Sequence, residues 1–288
     1  PRKDANTILY FEMVLMSLFL VMNATDLQFQ AMNNGNIISQ YLNTLFSGLD
    51  IAQVEVIERV CWWLHIAGIL VFLNYLYYSK HLHILLAFPN TYYADLNAKG
   101  KFDNLESVTK EVKLMMDPNA DPFAAQPVDE NAVPSKFGAS DVQDLNWVQL
   151  LNAYTCTECG RCTSSCPQNI TGKVLSPRKI MMDTRDRLEE VGKNIDKNGG
   201  TFVDDGKTLL GDYITSEEVW ACNTCNACVQ ECPVNIDPLS IIVGLRQQLV
   251  LEQSSAPNEL NGMFSNLENN GAPWQFSPAD RANWINEN

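Results

Sequence analysis

The feature that most constrains this chain is a cysteine pattern that occurs twice. Residues 156–167 read CTECGRCTSSCP, and residues 222–233 read CNTCNACVQECP. The spacing C-x2-C-x2-C-x3-C-P thus recurs 66 residues later, and both copies run on to an Asn-Ile pair, Asn169-Ile170 and Asn235-Ile236. Eight of the nine cysteines fall in these runs. Zinc knuckles use C-x2-C pairs rather than duplicated four-cysteine runs that end in Pro. Disulfides would require an oxidising compartment.

Two full runs of this kind have the spacing that holds a pair of iron–sulfur cubanes. Three cysteines at intervals of three wrap one face of a cubane, and the fourth, followed by Pro, points away to the other cluster. On that logic Cys156, Cys159, Cys162 and Cys232 (metal ligands of a first [4Fe–4S] cluster) form one set. Cys222, Cys225, Cys228 and Cys166 form the second. Each cluster then has four thiolates and no exchangeable position, so both are electron relays rather than substrate-binding centres.

The remainder of the chain divides sharply. Residues 95–288 hold 16 of the 20 Lys and Arg, 28 of the 34 Asp and Glu, and eight of the nine Cys. Residues 1–94 are apolar and aromatic. Two stretches in them read as transmembrane helices: 7–22 (TILYFEMVLMSLFLVM), which at about 24 Å falls just short of the hydrocarbon thickness, and the stronger 57–78 (IERVCWWLHIAGILVFLNYLYY). The second has Trp62, Trp63, Tyr75, Tyr77 and Tyr78 towards its ends, as interfacial anchors. Its helical pattern is predicted to continue to Phe88 and stop at Pro89. A signal-peptide reading of 1–22 is opposed by Glu12 and by the lack of a small-residue cleavage pattern. Arg2, Lys3 and Lys80 flank the helices, whereas 23–56 contain no Lys or Arg. By the positive-inside rule both ends face the cytoplasm. This predicts a multi-pass protein of the inner membrane with its iron–sulfur part on the cytoplasmic side. Ile37, Ile38, Tyr41, Leu42, Leu45 and Phe46 predict a short amphipathic helix in the loop.

His65 and His83 are 18 residues apart, which on one helix is five whole turns and about 27 Å. Both rings would then share a face, one near each side of the membrane, as axial ligands of haem b. The alternative is a hydrogen-bonded bundle residue at His65 and polar residues at a helix exit for His81 and His83. Glu12 is either a proton-handling group beside a quinone or an interface carboxylate. Cys61 reads as a small buried hydrophobe.

The expected organisation is a mainly α protein. Residues 1–94 form a membrane segment with two transmembrane helices, and 95–146 a connector rich in Asp, Asn and Pro, with Pro118, Pro122, Pro127 and Pro134. Residues 147–252 form an α-helical, ferredoxin-like domain for two [4Fe–4S] clusters. Its helices are predicted at 148–153, 177–191, 216–222 and 238–251, with 192–211 as loop. Residues 253–288 form an extended tail with Trp274, Phe276 and Trp284 as docking anchors. Arg161, Arg178 and Lys179 are candidates to offset cluster charge. The formal charge of −14 leaves no basic surface for nucleic acid.

The helix from His65 to Asn90, with its segment YSKHLHILLAFPN, resembles the last helix of the nitrate-reductase gamma-type cytochrome b domain. Joined to the duplicated cysteine runs, it resembles the heterodisulfide-reductase-like membrane iron–sulfur oxidoreductases, and most of all their membrane-bound ETF:menaquinone oxidoreductase branch. The resemblance implies haem b at His65 and His83, with opposing ligands from helices outside this sequence. It also implies a quinone in membrane lipid, a cytoplasmic flavoprotein donor, other subunits, and Cys-rich CCG domains beyond residue 288. The substrate-level catalytic site would then lie off this chain. Two alternatives follow from the same resemblance: a heterodisulfide or sulfite-pathway subunit that links quinol to a thiol, and a haem-less iron–sulfur anchor of a respiratory complex.

Overall fold

A computed structural model describes residues 2–32, 37–98, 100–102, 104–118, 136–275, 277–280 and 282–286. Pro122, Pro127 and Pro134 of the connector and Phe276 of the tail lie outside these residues. The chain forms two compact units, Pro1–Phe88 and Pro89–Asn288. The described residues contain helices and turns but no strand.

In the first unit, α1 (Arg2–Thr25) and α3 (Ile51–Leu76) pack together, with α2 (Ile37–Asn43) against α1. At 24 and 26 residues they are about 36 and 39 Å long, enough to cross a bilayer. Their seam buries Ile8, Leu15, Ala24, Val54 and Cys61. Gly68 makes the close approach possible, because a Cβ there would meet Leu15 Cδ2 at 2.6 Å. The outward faces carry exposed apolar side chains such as Met13, Val14, Trp63, Leu70 and Val71. Such faces suit contact with lipid rather than water. On α2 and the turn after it, Ile37, Ile38, Tyr41 and Leu45 are likewise exposed.

The second long apolar helix does not run on to Phe88. It ends at Leu76, and α4 (Leu82–Tyr92) begins after a turn. Ser79 makes the break: its Oγ donates to the Leu76 carbonyl and accepts from His81 N–H, both at 3.1 Å. Asp4 accepts from Tyr75 Oη (2.5 Å) and from Lys80 N–H (3.1 Å), which fixes the turn against α1. His65 and His83 therefore sit on different helices, and the five-turn register expected for them fails. Pro89 does not stop the chain either. It lies inside α4, which forgoes one hydrogen bond and continues to Tyr92.

The second unit holds α5 (Glu106–Met116), α6 (Trp147–Thr155), α7 (Pro177–Lys197), α8 (Ser216–Ala221), α9 (Pro238–Gln247) and α10 (Asn258–Asn270). Helix α7 extends six residues past the predicted end, into the stretch expected to be loop. The tail expected to be extended contains α10, while Trp274 and Trp284 are exposed. Ile180, Met181, Leu209, Ile214, Val219, Ile241, Ile242 and Leu245 form the fully buried centre, between α7, α8 and α9. Each such side chain is worth about 1.5–3 kcal/mol of burial. Gly138, at φ +77°, lets the segment before α6 lie on α9, where a Cβ would meet Gly244 O at 2.5 Å. Next to it Ala139 N–H donates to Gly244 O at 2.9 Å.

A fully buried arginine, Arg187, ties this unit together. Its Nε and Nη2 grip Asp141 at 3.0 and 2.8 Å, and its Nη1 and Nη2 grip Asp205 at 2.6 and 3.0 Å. Nη2 also donates to the Lys207 carbonyl at 2.7 Å. Asp141 in turn accepts from Leu209 N–H at 3.2 Å, so one side chain on α7 fixes the segments on both sides of it. Replacing Arg187 by Met should cost about 3–5 kcal/mol in denaturant unfolding, because two carboxylates lose their partner. The hydrogen bonds from Arg187 hold Asp205 down at about 2. A depressed carboxylate stabilises the fold above its unfolded value of about 4, and that stability is lost as pH falls towards 2. Thermal unfolding followed between pH 5 and 2 should show this acid loss in the wild type and a shallower one in Arg187→Met.

Candidate functional site

The two cysteine runs are built alike. Helix α6 starts at Asn146, whose side chain accepts from Gln149 N–H at 2.9 Å, and it delivers Cys156 as its C-cap. Helix α8 starts at Thr215, which caps Glu218 N–H at 3.2 Å, and it delivers Cys222 as its C-cap. Two residues after each of these cysteines the backbone enters the left-handed region, with φ 63° at Glu158 and 53° at Thr224. The same happens at Gly160 (84°) and Asn226 (59°). These turns aim N–H groups at sulfur. Thr224 N–H donates to Cys222 Sγ at 3.4 Å, and Glu158 N–H makes the matching bond to Cys156. Thr163 and Val229 do the same for Cys162 and Cys228. The fourth cysteine, Cys166, is buried as the N-cap of a short turn opened by Pro167.

The runs interlock. Cys166 of the first run lines one cavity with Cys222, Cys225 and Cys228 of the second, among Pro167, Pro177, Leu239 and Ile242. Conversely, Cys232 of the second run lies within electrostatic reach of Cys156 and Cys162, and Cys159 within reach of Cys162. None of the eight cysteines of the two runs forms a disulfide among the described residues. Cys159 and Cys225 are exposed at the rims.

The donor set fits a thiolate-bound cluster. Burial pushes the Cys156 thiol up to about 11 and the Cys228 thiol up to about 12. Burial raises Cys162 and Cys222 as well. A bare thiolate is disfavoured there, so these sulfurs would ionise on binding a cation, and the four directed N–H groups would stabilise the bound thiolates. Thr155, next to Cys156, buries its Oγ1 without a hydrogen-bond partner among the described residues.

Of the basic residues expected near the clusters, Arg161 and Arg178 are exposed. Lys179 is engaged by Asp183 at 2.8 Å and Glu218 at 2.9 Å. The arginines that do approach the cysteines are Arg185 and Arg246, which no motif singles out. Arg185 acts on Cys156, and Arg246 donates to the Cys222 carbonyl.

In the first unit, His65 Nδ1–H donates to the Leu15 carbonyl at 2.9 Å, and His83 Nδ1–H donates to the Lys80 carbonyl at 2.6 Å. Among the described residues neither ring has a hydrogen bond at Nε2. No second imidazole faces His65 among the described residues, whose ring instead lies 5.6 Å from Phe19. These residues alone do not complete a bis-histidine haem site. His81 and His83 pair at 6.1 Å, and Glu12 lies 4.0 Å from His81.

Comparison with known proteins agrees with the cysteine geometry. Residues 155–236 match the 4Fe-4S dicluster domain family. The chain is 29% identical over 271 residues to the probable iron-sulfur-binding oxidoreductase FadF of Bacillus subtilis, covering 84% of this chain and 35% of that protein. It is 27% identical over 262 residues to the EtfAB:quinone oxidoreductase of Syntrophomonas wolfei, covering 85% and 33%. It is 31% identical over 172 residues to a probable membrane-anchored ferredoxin of Chromohalobacter salexigens, covering 54% and 25%. The chain spans about a third of the length of the first two relatives. Its homologues are iron–sulfur oxidoreductases, and it carries their dicluster domain on a mainly helical framework with two helices long and apolar enough to cross a membrane.

Proposed function

We propose that this chain is the electron-relay part of a membrane-bound iron–sulfur oxidoreductase. Its two [4Fe–4S] clusters are held crosswise, one by Cys156, Cys159, Cys162 and Cys232, the other by Cys222, Cys225, Cys228 and Cys166. The observation that carries this reading is the cavity in which a cysteine of the first run meets three of the second. The clusters supply one-electron transfer. The protein supplies burial, the N–H groups on sulfur, and a fixed separation between the two sites.

In this reading electrons pass between a cytoplasmic flavoprotein of the ETF kind and a membrane quinone. The similarity to an EtfAB:quinone oxidoreductase supports it. The thiol–disulfide alternative differs in its soluble substrate. The unit Pro1–Phe88 spans the inner membrane with both ends cytoplasmic, supported by the absence of Lys and Arg from residues 23–56. Haem b at His65 and His83 belongs to the proposal only with opposing ligands from outside these helices.

Four measurements test this. Anaerobically isolated protein should contain eight iron and eight sulfide per chain, and values well below that would end the two-cluster reading. Crossing makes a sharper demand: Cys232→Ala should abolish the same EPR signal as Cys159→Ala, and Cys166→Ala the same signal as Cys225→Ala. Loss of matching signals within a run instead of across the runs would reject the crossed set. Reduced-minus-oxidised optical spectra of the membrane complex should show a b-type α-band that His65→Ala diminishes, and a missing band in the parent leaves the relay without haem. Turnover with reduced flavoprotein, and none with a disulfide substrate, separates the two oxidoreductase readings.

A further inference from the structure

The two halves of the cluster unit place an arginine at the same point. Arg185 lies eight residues after Pro177, the first residue of α7, and Arg246 lies eight residues after Pro238, the first residue of α9. Each is half-buried and returns to the first cysteine of the run that precedes its own helix. Arg246 donates from Nε to the Val219 carbonyl at 3.1 Å and from Nη2 to the same carbonyl at 2.9 Å and to that of Cys222. Its guanidinium carbon stands 5.3 Å from the Trp220 ring centroid. Arg185 lies within electrostatic reach of the Cys156 thiol, and its Nη2 donates to Glu158 Oε1 at 2.8 Å.

The halves differ in what answers the charge. Glu158 sits between the first two cysteines of its run; the residue at the equivalent place in the second run is Thr224, with the same left-handed backbone and no charge. Arg185 therefore has Glu158 in contact at 2.8 Å, with the exposed Asp186 farther off at 3.5 Å, while Arg246 makes no ion pair among the described residues and donates its N–H groups to backbone carbonyls only. An acidic group that faces the second run is Asp237, within reach of Cys228, and Glu231 lies in the run itself, exposed. Asp237 caps α9 by accepting from Leu239 N–H at 2.8 Å and Ser240 N–H at 3.1 Å, which offsets its charge with the positive end of the helix.

A thiolate-bound cluster gains one negative charge on reduction. A fixed positive charge beside its sulfurs stabilises the reduced form and raises the potential, and a carboxylate that cancels that charge lowers it. Half-burial makes such charges count for more than they would in water. We propose that Arg246 raises the reduction potential of the second cluster through a charge with no carboxylate partner, and that Glu158 cancels the equivalent contribution of Arg185 at the first. The two residues are potential-setting groups, one on each half of a duplicated unit. This rests on the crossed ligand sets proposed above.

Potentiometric EPR on the full chain, with dithionite as the one-electron reductant, tests it. The signals are first assigned through Cys159→Ala and Cys225→Ala. Arg246→Gln should make reduction of the second cluster about tenfold less favourable, a fall of about 59 mV for one electron, and leave the first in place. Arg246→Lys should keep most of the wild-type value. Glu158→Gln should raise the first cluster by a similar amount and leave the second unmoved. If Arg246→Gln fails to load its clusters, Glu158→Gln, at a half-buried loop position, still decides the matter. An unchanged first-cluster potential in Glu158→Gln, or an equal shift of both clusters in either variant, overturns the proposal. Fewer than eight irons in the wild type would instead sink the ligand assignment on which it rests.

Discussion

Burying sulfur is the constraint on which the second unit is organised. A thiol removed from water resists ionisation, and burial pushes Cys156 up to about 11 and Cys228 up to about 12. The chain answers with donors placed by backbone strain. Glu158 and Thr224 hold left-handed conformations that cost roughly 1–2 kcal/mol each for residues with a Cβ. Threonine, being β-branched, is among the least suited to it. What each conformation gains is an N–H directed at the first sulfur of its run. Strain of this kind persists only where the surroundings fix it, and here α6 and α8 do so by ending at the cysteine that receives the bond.

The duplication is not carried through the whole unit, and the departure has a structural purpose. Helix α7 has 21 residues and α9 has ten before it passes into a wider turn. The extra length of α7 carries Arg187, for which α9 has no counterpart. Through Asp141 and Asp205 that side chain joins the segment before the first run to the loop that leads to the second. The two halves are thus not two independent lobes. They share one apolar centre and one buried ion network, so the separation of the two runs is set by the core.

Much of this was legible in the sequence, and what was not had a physical reason. The cysteine runs, the helices that lead into them and the two apolar spans follow from spacing and periodicity alone. The break at 77–81 does not. It depends on Asp4, which meets Lys80 N–H from 76 residues away, and nothing in the local pattern YYSKH announces such a partner. Pro89 reads as a stop but is tolerated inside α4, because a lone missing bond does not outweigh the rest of the helix. Helix α7 runs on through Gly192 to Lys197 although those residues are mostly polar, since Val191 and Ile195 still face the core. Arg185 and Arg246 escaped motif reasoning because each lies far along a helix from its cysteine. Their equal offset from the helix-opening prolines was visible in the sequence and would have found them.

The break at 77–81 also changes what His65 and His83 can do. On one rod their separation would be fixed at five turns, and a pair of stacked sites would follow from helix geometry. On two helices their relation depends on a turn held by Ser79 and Asp4. Each ring nevertheless has its Nδ1–H committed to a backbone carbonyl, which fixes the tautomer and leaves Nε2 as the acceptor. That is the preparation a ligating imidazole needs, and it is equally what a hydrogen-bonded packing residue shows. The two units therefore stand differently towards their proposed cofactors. The cluster unit supplies all eight cysteines that its proposed centres require, and four of them, Cys166, Cys222, Cys225 and Cys228, line one cavity. The helical unit offers one nitrogen at each position and depends on groups beyond these helices to complete a site.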